Sequence, residues 1–234
     1  MNEGARIGIL GGTLDPIHFG HLDTALAARE ALALDRVVVI PSRIPPHRQT
    51  QPVASPYHRF AMAALAVNGV EGLSVSDIEL RAPGPSYTAD TLMHYRDGLG
   101  LQPSQIFFIT GADAFADIAT WRRYPEVLDL AHFVAVSRPG APVSGLRQQL
   151  SGLKDRMRLP LRRSDLDMRA GKTSIFLVDA PTSDVSSTEI RRRLVAEQSL
   201  AGMVPEAIER HIHQHGLYRQ SRSSSGANQL HGES

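Results

Sequence analysis

Cysteine is missing from the sequence of 234 residues. Its absence excludes disulfide bonds, thiol catalysis and cysteine metal sites, and it is compatible with the reducing cytoplasm in which we expect the protein to act. A long apolar run is missing as well, so we expect no membrane span. The N-terminal residues 1–6 lead directly into a short apolar stretch and do not resemble a secretory signal.

An excess of charge of either sign is also missing. The chain has 25 Lys and Arg against 24 Asp and Glu, which gives a formal net charge of +1. Such a balance provides no general attraction for nucleic acid or for a membrane surface. Basic clusters occur at residues 162–163 and 191–193, but no aromatic stacking platform accompanies them. We therefore expect no nucleic-acid partner.

Short apolar runs alternate with helical patterns along the chain, and this alternation predicts an α/β fold with a parallel sheet. The predicted strands are residues 6–10, 36–40, 105–110, 132–137 and 174–178, with a weaker candidate at 73–76. The predicted helices are residues 21–34, 57–67, 88–99, 143–157, 188–196 and 205–215. We expect one domain over residues 5–219. The Ser- and Gly-rich segment 220–234 has the composition of a disordered tail.

A first candidate site lies in GGTLDPIHFGH, residues 11–21, between the first strand and the first helix. Gly11 and Gly12 can adopt unusual dihedral angles and let a phosphate approach the backbone. His18 and His21 are one helical turn apart, and a protonated ring at either position would stabilise an oxyanion. The segment contains neither a Walker loop nor GxGxxG. Taken singly, each feature is more often a tight turn or a helix cap.

A second candidate site lies in DVSSTEIRRRL, residues 184–194. Ser186 and Ser187 precede a helical pattern, where they can cap the helix and offer donors to an anion. Arg191 is one turn further on and can reach the same anion. Arg192 and Arg193 are expected to face solvent or form salt bridges. Without the first motif, a capped surface helix would be the preferred interpretation.

Together the two motifs resemble the signatures of the HxGH nucleotidyltransferase superfamily, whose members bind ATP on a Rossmann-like open sheet. The resemblance implies helices on both faces of the sheet and a small C-terminal helical part. It also implies His18, His21 and Arg191 as catalytic residues. The ATP-binding residues that it implies are Gly11, Gly12, Thr13, His18, His21, Ser186, Ser187, Thr188 and Arg191. Leu14 departs from the Phe that is common in the family.

The central part of the chain resembles the bacterial nicotinate-mononucleotide adenylyltransferases in four segments. They are IPPHR at 44–48, PSYTADTL at 85–92, GADAFADIATW at 111–121 and SRPG at 137–140. Substrate-binding residues implied by this resemblance are His47, Arg48, Thr88, Asp113, Trp121, Arg122 and Arg138.

The resemblance also implies a role for each part of this substrate site. The main-chain N–H of Thr88, at a helix cap, and the backbone of Arg122 would hold the nicotinate carboxylate, while Trp121 stacks on the pyridine ring. The resemblance assigns the loop with His47 and Arg48 to phosphate and to the ATP side. From their places after predicted strands, we expect Arg138 to contact a phosphate and Asp113 to bind ribose hydroxyls. Before Trp121, this chain has Ala119–Thr120 where relatives often have Leu-Pro.

The resemblance implies transfer of AMP from ATP to nicotinate mononucleotide in NAD biosynthesis, with Mg²⁺ carried by ATP and no metal site built by the protein. The same transfer to nicotinamide mononucleotide is an alternative, and the segments around Thr88 and Trp121 argue against phosphopantetheine. A non-catalytic nucleotide-binding module is a further alternative. Self-association into a homo-oligomer is compatible with the sequence.

Overall fold

The computed structural model describes residues 4–46, 52–160 and 173–219. The tail 220–234, for which the sequence predicts disorder, and residues His47 and Arg48 lie outside these ranges. So does most of the Arg- and Asp-rich segment 159–172. No helix in the described ranges is long and apolar enough to cross a membrane.

Seven parallel strands form one sheet across the described part of the chain. They are β1 (Ile7–Gly12), β2 (Arg36–Pro41), β3 (Leu73–Val75), β4 (Ile106–Gly111), β5 (His132–Val136), β6 (Met157–Arg158) and β7 (Ile175–Val178). Their order is β3-β2-β1-β4-β5-β7-β6. The predicted parallel α/β architecture is thus confirmed.

Eight α-helices in the described ranges surround this sheet. They are α1 (Phe19–Ala31), α2 (Pro56–Val67), α3 (Ile78–Arg81), α4 (Thr88–Leu99), α5 (Ala112–Ala116), α6 (Leu146–Gln149), α7 (Ser187–Val195) and α8 (Glu206–Gln214). Helices α7 and α8 form the small C-terminal helical part that the sequence predicted.

Helices cover both faces of the sheet. Neighbouring strand residues point to opposite faces, so each strand contributes to two apolar clusters. In β2, Val37 and Val39 join the apolar cluster that contains side chains of α1, α2, α7 and α8. Val38 and Ile40 join the other cluster, which contains side chains of α4, α5 and α6. This double burial explains why the strands are almost continuously apolar in sequence.

One predicted helix is wrong. Residues 143–157 form two short 3₁₀ segments, Val143–Gly145 and Ser151–Arg156, on either side of the single turn α6. The apolar spacing suggested a helix, but glycines at 145 and 152 weaken one, and Leu150 leaves helical geometry with φ −110° and ψ 53°. The edge strand β6 that follows was not predicted.

The strand order places a crevice at the carboxyl ends of β1 and β4. From β1 the chain passes to β2 and β3 on one side of β1. It then returns to the other side of β1, where β4 and the later strands lie. Ligands of open α/β sheets bind where the strand order reverses in this way. Both sequence motifs lie at this edge, since β1 ends at Gly12 and the loop after β7 leads into α7.

Candidate active site

The first motif begins inside β1 rather than after it. Gly11 and Gly12 pair with Ile40 and Pro41 of β2 and are not among the glycines with positive φ, so the expected unusual dihedral angles are wrong. The left-handed residue is Leu14, with φ 53°. A Cβ on Gly11 would lie 3.2 Å from the Phe108 ring, so the need for glycine here is close packing.

His18 and His21 stand together at the start of α1. His18 is the N-cap residue, and its backbone N–H donates to Nδ1 of His21 at 3.3 Å. The two rings lie 3.8 Å apart between centroids. Because Nδ1 of His21 accepts this bond, a neutral His21 carries its proton on Nε2 and can donate from that atom. The two rings therefore lie side by side, as the sequence predicted.

His18 is only 1% exposed. Burial, helped by the positive charge of Arg138, lowers the pKa of His18 to about 3. Without a ligand the His18 ring is therefore neutral, and the charge that the sequence analysis considered for it requires a proton gained on binding. Its Nδ1 is buried and has no hydrogen-bond partner among the described residues. A neutral ring with an unpartnered polar atom is suited to meeting a ligand group.

Gly20 lets the two halves of the site approach closely. A Cβ at this position would lie 3.1 Å from the carbonyl oxygen of Ser183, in the loop before α7. Asp23 fastens the same loop, because its Oδ2 accepts from the Ser183 backbone N–H at 2.8 Å and from the Ser183 hydroxyl at 2.6 Å. The loop before the second motif is thus fixed to the first turns of α1.

The second motif docks on the turn at residues 15–16, where the Asp15–Pro16 peptide bond is cis. Ser187 donates its hydroxyl to the Pro16 carbonyl at 2.9 Å, and Arg191 donates to the Asp15 carbonyl at 2.6 Å. Ser186 caps α7 by accepting from the Glu189 N–H, as predicted. Thr188 Oγ1 accepts a bond from Arg191 at 3.3 Å.

The two arginines that follow Arg191 do not join this docking. Arg192 and Arg193 both pair with Glu189 on the surface of α7, at 2.7 and 2.9 Å. This confirms the expectation that they form salt bridges or face solvent. Of the three consecutive arginines, Arg191 is the one that reaches the first motif.

Asp15 is a buried carboxylate that the sequence indicated only as part of a turn. It is 0% exposed and accepts hydrogen bonds from the backbone N–H groups of Val53 and Ala54. The hydroxyl of Tyr218 donates to it at 2.8 Å, and Arg191 lies 3.8 Å away. The pKa of Tyr218 is raised by burial and by this carboxylate. Asp15 thus joins the first motif to the C-terminal part.

Arg59 is a second organising residue that sequence reasoning missed. It is 0% exposed and donates to four carbonyl oxygens, those of Thr13, Ser42, Arg43 and Ala54. In sequence it belongs to the amphipathic helix α2, where an arginine normally faces solvent. It holds the loops after β1 and β2 against each other and so shapes one wall of the crevice.

A cavity of about 260 Å³ opens where these loops meet α4 and the segment after α5. Its lining combines residues of the first motif with residues of three of the four central segments. They are Gly11, Gly12, Thr13, Ser42, Pro45, Pro46, Glu79, Ser86, Tyr87, Thr88, Phe108, Thr110, Ala114, Trp121 and Arg122. The structure therefore brings together residues that lie more than a hundred positions apart in the sequence.

The wall formed by α4 offers free main-chain donors. Tyr87, rather than the expected Thr88, is the N-cap residue, and Thr88 is the first helical residue. The first backbone bond of the helix comes from Asp90, to the Tyr87 carbonyl. The N–H groups of Thr88 and Ala89 therefore have no partner within the described residues, as is usual in the first turn of a helix.

Arg122 connects the wall of the cavity formed by α4 to the wall that carries Trp121. Its guanidinium lies 4.4 Å from the centre of the Tyr87 ring and 3.2 Å from the Asp90 carboxylate. Beside it, Trp121 is half-buried and packs edge-on against Phe108, with 5.8 Å between the ring centroids. The contacts of Arg122 and Phe108 thus set the aromatic face beside the N-terminus of α4.

Glu79 also lines the cavity and was not predicted. Burial raises the pKa of its carboxyl, which accepts a hydrogen bond from the Thr91 hydroxyl at 2.5 Å. A lone Glu in a short apolar segment gives no sequence signal for such a position.

Two of the predicted substrate residues lie outside the cavity lining. Asp113 and Arg138 form an ion pair of 3.6 Å beyond the ends of β4 and β5. Arg138 also donates to the Val185 carbonyl, just before the second motif, and its charge acts on His18. The structure thus places Arg138 beside the two nucleotide motifs rather than beside Trp121.

An open parallel sheet whose crevice carries two histidines and two helix N-termini defines an α/β protein with a site suited to the phosphates of a nucleotide. A family model described as cytidylyltransferase-like matches residues 9–193. A protein of Moorella thermoacetica described as a probable nicotinate-nucleotide adenylyltransferase is 39% identical over 92% of both chains. A protein of Thermus thermophilus with the same description is 42% identical over 92% of this chain and all of its own.

Among solved structures, nicotinic acid mononucleotide adenylyltransferase of Plasmodium falciparum, complexed with NaAD, shares the fold. Its TM-score is 0.70 at 17% identity, over 92% of this chain and 97% of that one. The chain belongs to the cytidylyltransferase-like family and, within it, to the nicotinate-nucleotide adenylyltransferases.

Proposed function

We propose that the protein transfers AMP from ATP to nicotinate mononucleotide, yielding deamido-NAD and pyrophosphate as a step of NAD biosynthesis. One observation carries the proposal. A single cavity joins the backbone of Gly11–Thr13, in the ATP motif, to the N-terminus of α4 and to Trp121. Family membership with relatives of this description supports the same reaction.

The triphosphate of ATP would bind between α1 and α7. His21, Arg191 and the N-terminus of α7 provide donors there, and the dipoles of both helices favour the phosphate charge. His18 is neutral when the site is free, and an adjacent triphosphate would raise its pKa because negative charge stabilises the imidazolium. Arg138 adds a fixed positive charge beside His18. We assign Gly11, Gly12, Thr13, Ser186, Ser187 and Thr188 to the same nucleotide.

The pyridine ring of the acceptor would stack on Trp121, with its carboxylate directed to the N–H groups of Thr88 and Ala89. These donors are unpaired within the described residues and point out of a helix N-terminus, which favours an anion. The backbone of Arg122 completes this end of the pocket. A neutral amide would lose the charge-assisted hydrogen bonds. Asp113 for the ribose, and His47 and Arg48 for phosphate, stay predictions from the sequence.

In the chemical step, an oxygen of the acceptor's 5′-phosphate attacks the α-phosphorus of ATP. The new P–O bond forms as the bond from the α-phosphorus to its bridging oxygen breaks, and pyrophosphate leaves with that electron pair. The attacking phosphate is already ionised, so the reaction needs no general base. Catalysis then consists of positioning and of stabilising charge on the triphosphate by His18, His21 and Arg191.

Mg²⁺ would accompany ATP and neutralise charge on the leaving pyrophosphate. The residues around the crevice fit an ion held mainly by phosphate oxygens and water, as is usual for Mg²⁺. Asp15, the buried carboxylate nearest to both motifs, already accepts three hydrogen bonds. A cytoplasmic location and self-association stay predictions from the sequence.

The test is pyrophosphate release from Mg-ATP with nicotinate mononucleotide and, separately, with nicotinamide mononucleotide at the same concentration. We expect a strong preference for the acid. Equal use of both acceptors would keep adenylyl transfer but contradict carboxylate capture at Thr88. ATP binding without release from either acceptor would contradict the proposal and favour a non-catalytic nucleotide-binding module.

A further inference from the structure

Three histidines from two helices meet at the surface where α2 packs against α8. His58 comes from α2, His211 from α8, and His215 is the residue that caps the end of α8. One ring nitrogen from each lies within 4.8 Å of the others. None of the three lines the cavity described above. We call this group the histidine triad of α2 and α8.

The separations within this group suit shared coordination of one ion. Nδ1 of His58 lies 3.2 Å from Nε2 of His211. Two nitrogens bound to a tetrahedral Zn²⁺ at about 2.0–2.1 Å would stand roughly 3.3 Å apart. His211 and His215 are four residues apart, the spacing that puts two ligands on one helix face. Their ring centroids are 4.4 Å apart.

The histidines stand on two helices that pack against each other. Met62 of α2 and Ile208 and Ile212 of α8 are buried in one apolar cluster, so the two helices are packed beneath the histidines. His58 and His211 are half-buried, whereas His215 is exposed. An ion could therefore enter from solvent, and a water molecule could complete a tetrahedral shell.

We propose that His58, His211 and His215 form a binding site for one Zn²⁺ ion that fastens α8 to α2. An all-imidazole donor set suits Zn²⁺ rather than Mg²⁺ or Ca²⁺, which prefer oxygen ligands. The site is independent of the proposed adenylyl transfer and takes no part in it. Its role is structural, because Arg59 of α2 and Tyr218, four residues beyond the end of α8, also support the loop at residues 13–16.

The test measures Zn²⁺ binding to the full chain, untagged and treated with chelator beforehand, by equilibrium dialysis and by the thermal midpoint. We expect one Zn²⁺ per chain and a midpoint increase of roughly 5 °C or more at a hundredfold excess over Kd. His58→Gln, His211→Gln and His215→Gln should each lower affinity by more than the roughly 10–100-fold that outer-shell changes cause.

His213→Gln is the matched control, because His213 lies on the same helix but points to Glu209, 3.9 Å away. It should bind Zn²⁺ like the unaltered chain. Absence of binding by the unaltered chain would overturn the proposal, as would equal loss in the control or retention of binding when all three ligands are replaced. Circular dichroism without metal shows that each variant is folded, so lost binding reports on the site.

Discussion

At the scale of single residues, His18 is buried where a triphosphate is expected, and burial keeps its ring neutral in the free protein. His21 is more accessible, and the bond from the His18 N–H fixes its neutral tautomer with the proton on Nε2. The two histidines are therefore not equivalent. We expect His21 to donate from the start and His18 to gain its proton as the phosphate charge arrives.

Replacing His21 and Trp121 should separate the two halves of the site. We expect His21→Ala to lower kcat by a factor on the order of 10²–10³, comparable to the loss of one oxyanion donor. Trp121→Ala should chiefly raise KM for the acceptor, because the stacking face is removed while the phosphate donors stay. Steady-state kinetics with each substrate varied in turn measures both effects.

Comparing the two variants tests the role of His21 and the role of Trp121 separately. Full turnover by His21→Ala would contradict its role at the triphosphate. If Trp121→Ala raised only the KM for ATP, the acceptor would not bind against this ring. Each variant serves as the control for the other, since both proteins keep the opposite end of the cavity intact.

At the scale of elements, two helices and the segment after a third hold one short turn. Arg59 of α2 donates to the Thr13 carbonyl, Arg191 of α7 donates to the Asp15 carbonyl, and Tyr218, just beyond α8, donates to the Asp15 carboxylate. The turn contributes little apolar burial of its own apart from Leu14 and Ile17. Its shape therefore depends on hydrogen bonds from elements distant in sequence.

Tyr218→Phe should remove one donor from a buried carboxylate without changing side-chain volume. We expect a loss of about 1.5–3 kcal/mol in the free energy of unfolding, the range for hydrogen bonds to charged groups. Denaturant unfolding measures it. Tyr57→Phe is the control, because Tyr57 is 75% exposed and its change should stay within about 0.5 kcal/mol. Equal effects in the two variants would contradict the role given to Tyr218.

Most helices and strands could be predicted because the residues that determine them lie close together in the sequence. Helix α4 occupies the predicted residues 88–99, and its C-cap Gly100 has the left-handed φ of 65° that favours glycine. Strand β6 could not be predicted, since it has two residues and forms only by pairing with β7. The same holds for Arg59 and Asp15, whose partners come from other elements and whose burial has no pattern in nearby residues.

At the scale of the whole molecule, two buried histidines make stability depend on pH. Burial lowers the pKa of His18 to about 3 and that of His132 to about 4. An unfolded chain takes up these protons near pH 6.5, whereas the folded chain does so only at lower pH. Stability therefore falls as pH falls from about 6.5 towards 4, by about 2 kcal/mol per histidine at pH 5.

His132→Asn should remove one of these two contributions. The Asn oxygen can replace Nδ1 of His132, which accepts from the Ser174 N–H at 2.8 Å. The difference in unfolding free energy between pH 7 and pH 5 should shrink by about 2 kcal/mol. Urea unfolding at the two pH values measures it, with His94→Asn as the exposed control. An unchanged difference in His132→Asn would show that His132 does not cause the acid sensitivity.

The docking of Ser187 on Pro16 also affects when the site can form during translation of the chain. The two residues are 171 positions apart, and the bond from Tyr218 to Asp15 spans 203. At about 5–20 residues per second, the ribosome needs roughly 10–30 s to add a stretch of 170 residues. During that interval the nascent chain already contains both histidines but not the helix that completes their site. Nucleotide binding at the completed site can thus begin only after the ribosome has added α7 and Tyr218.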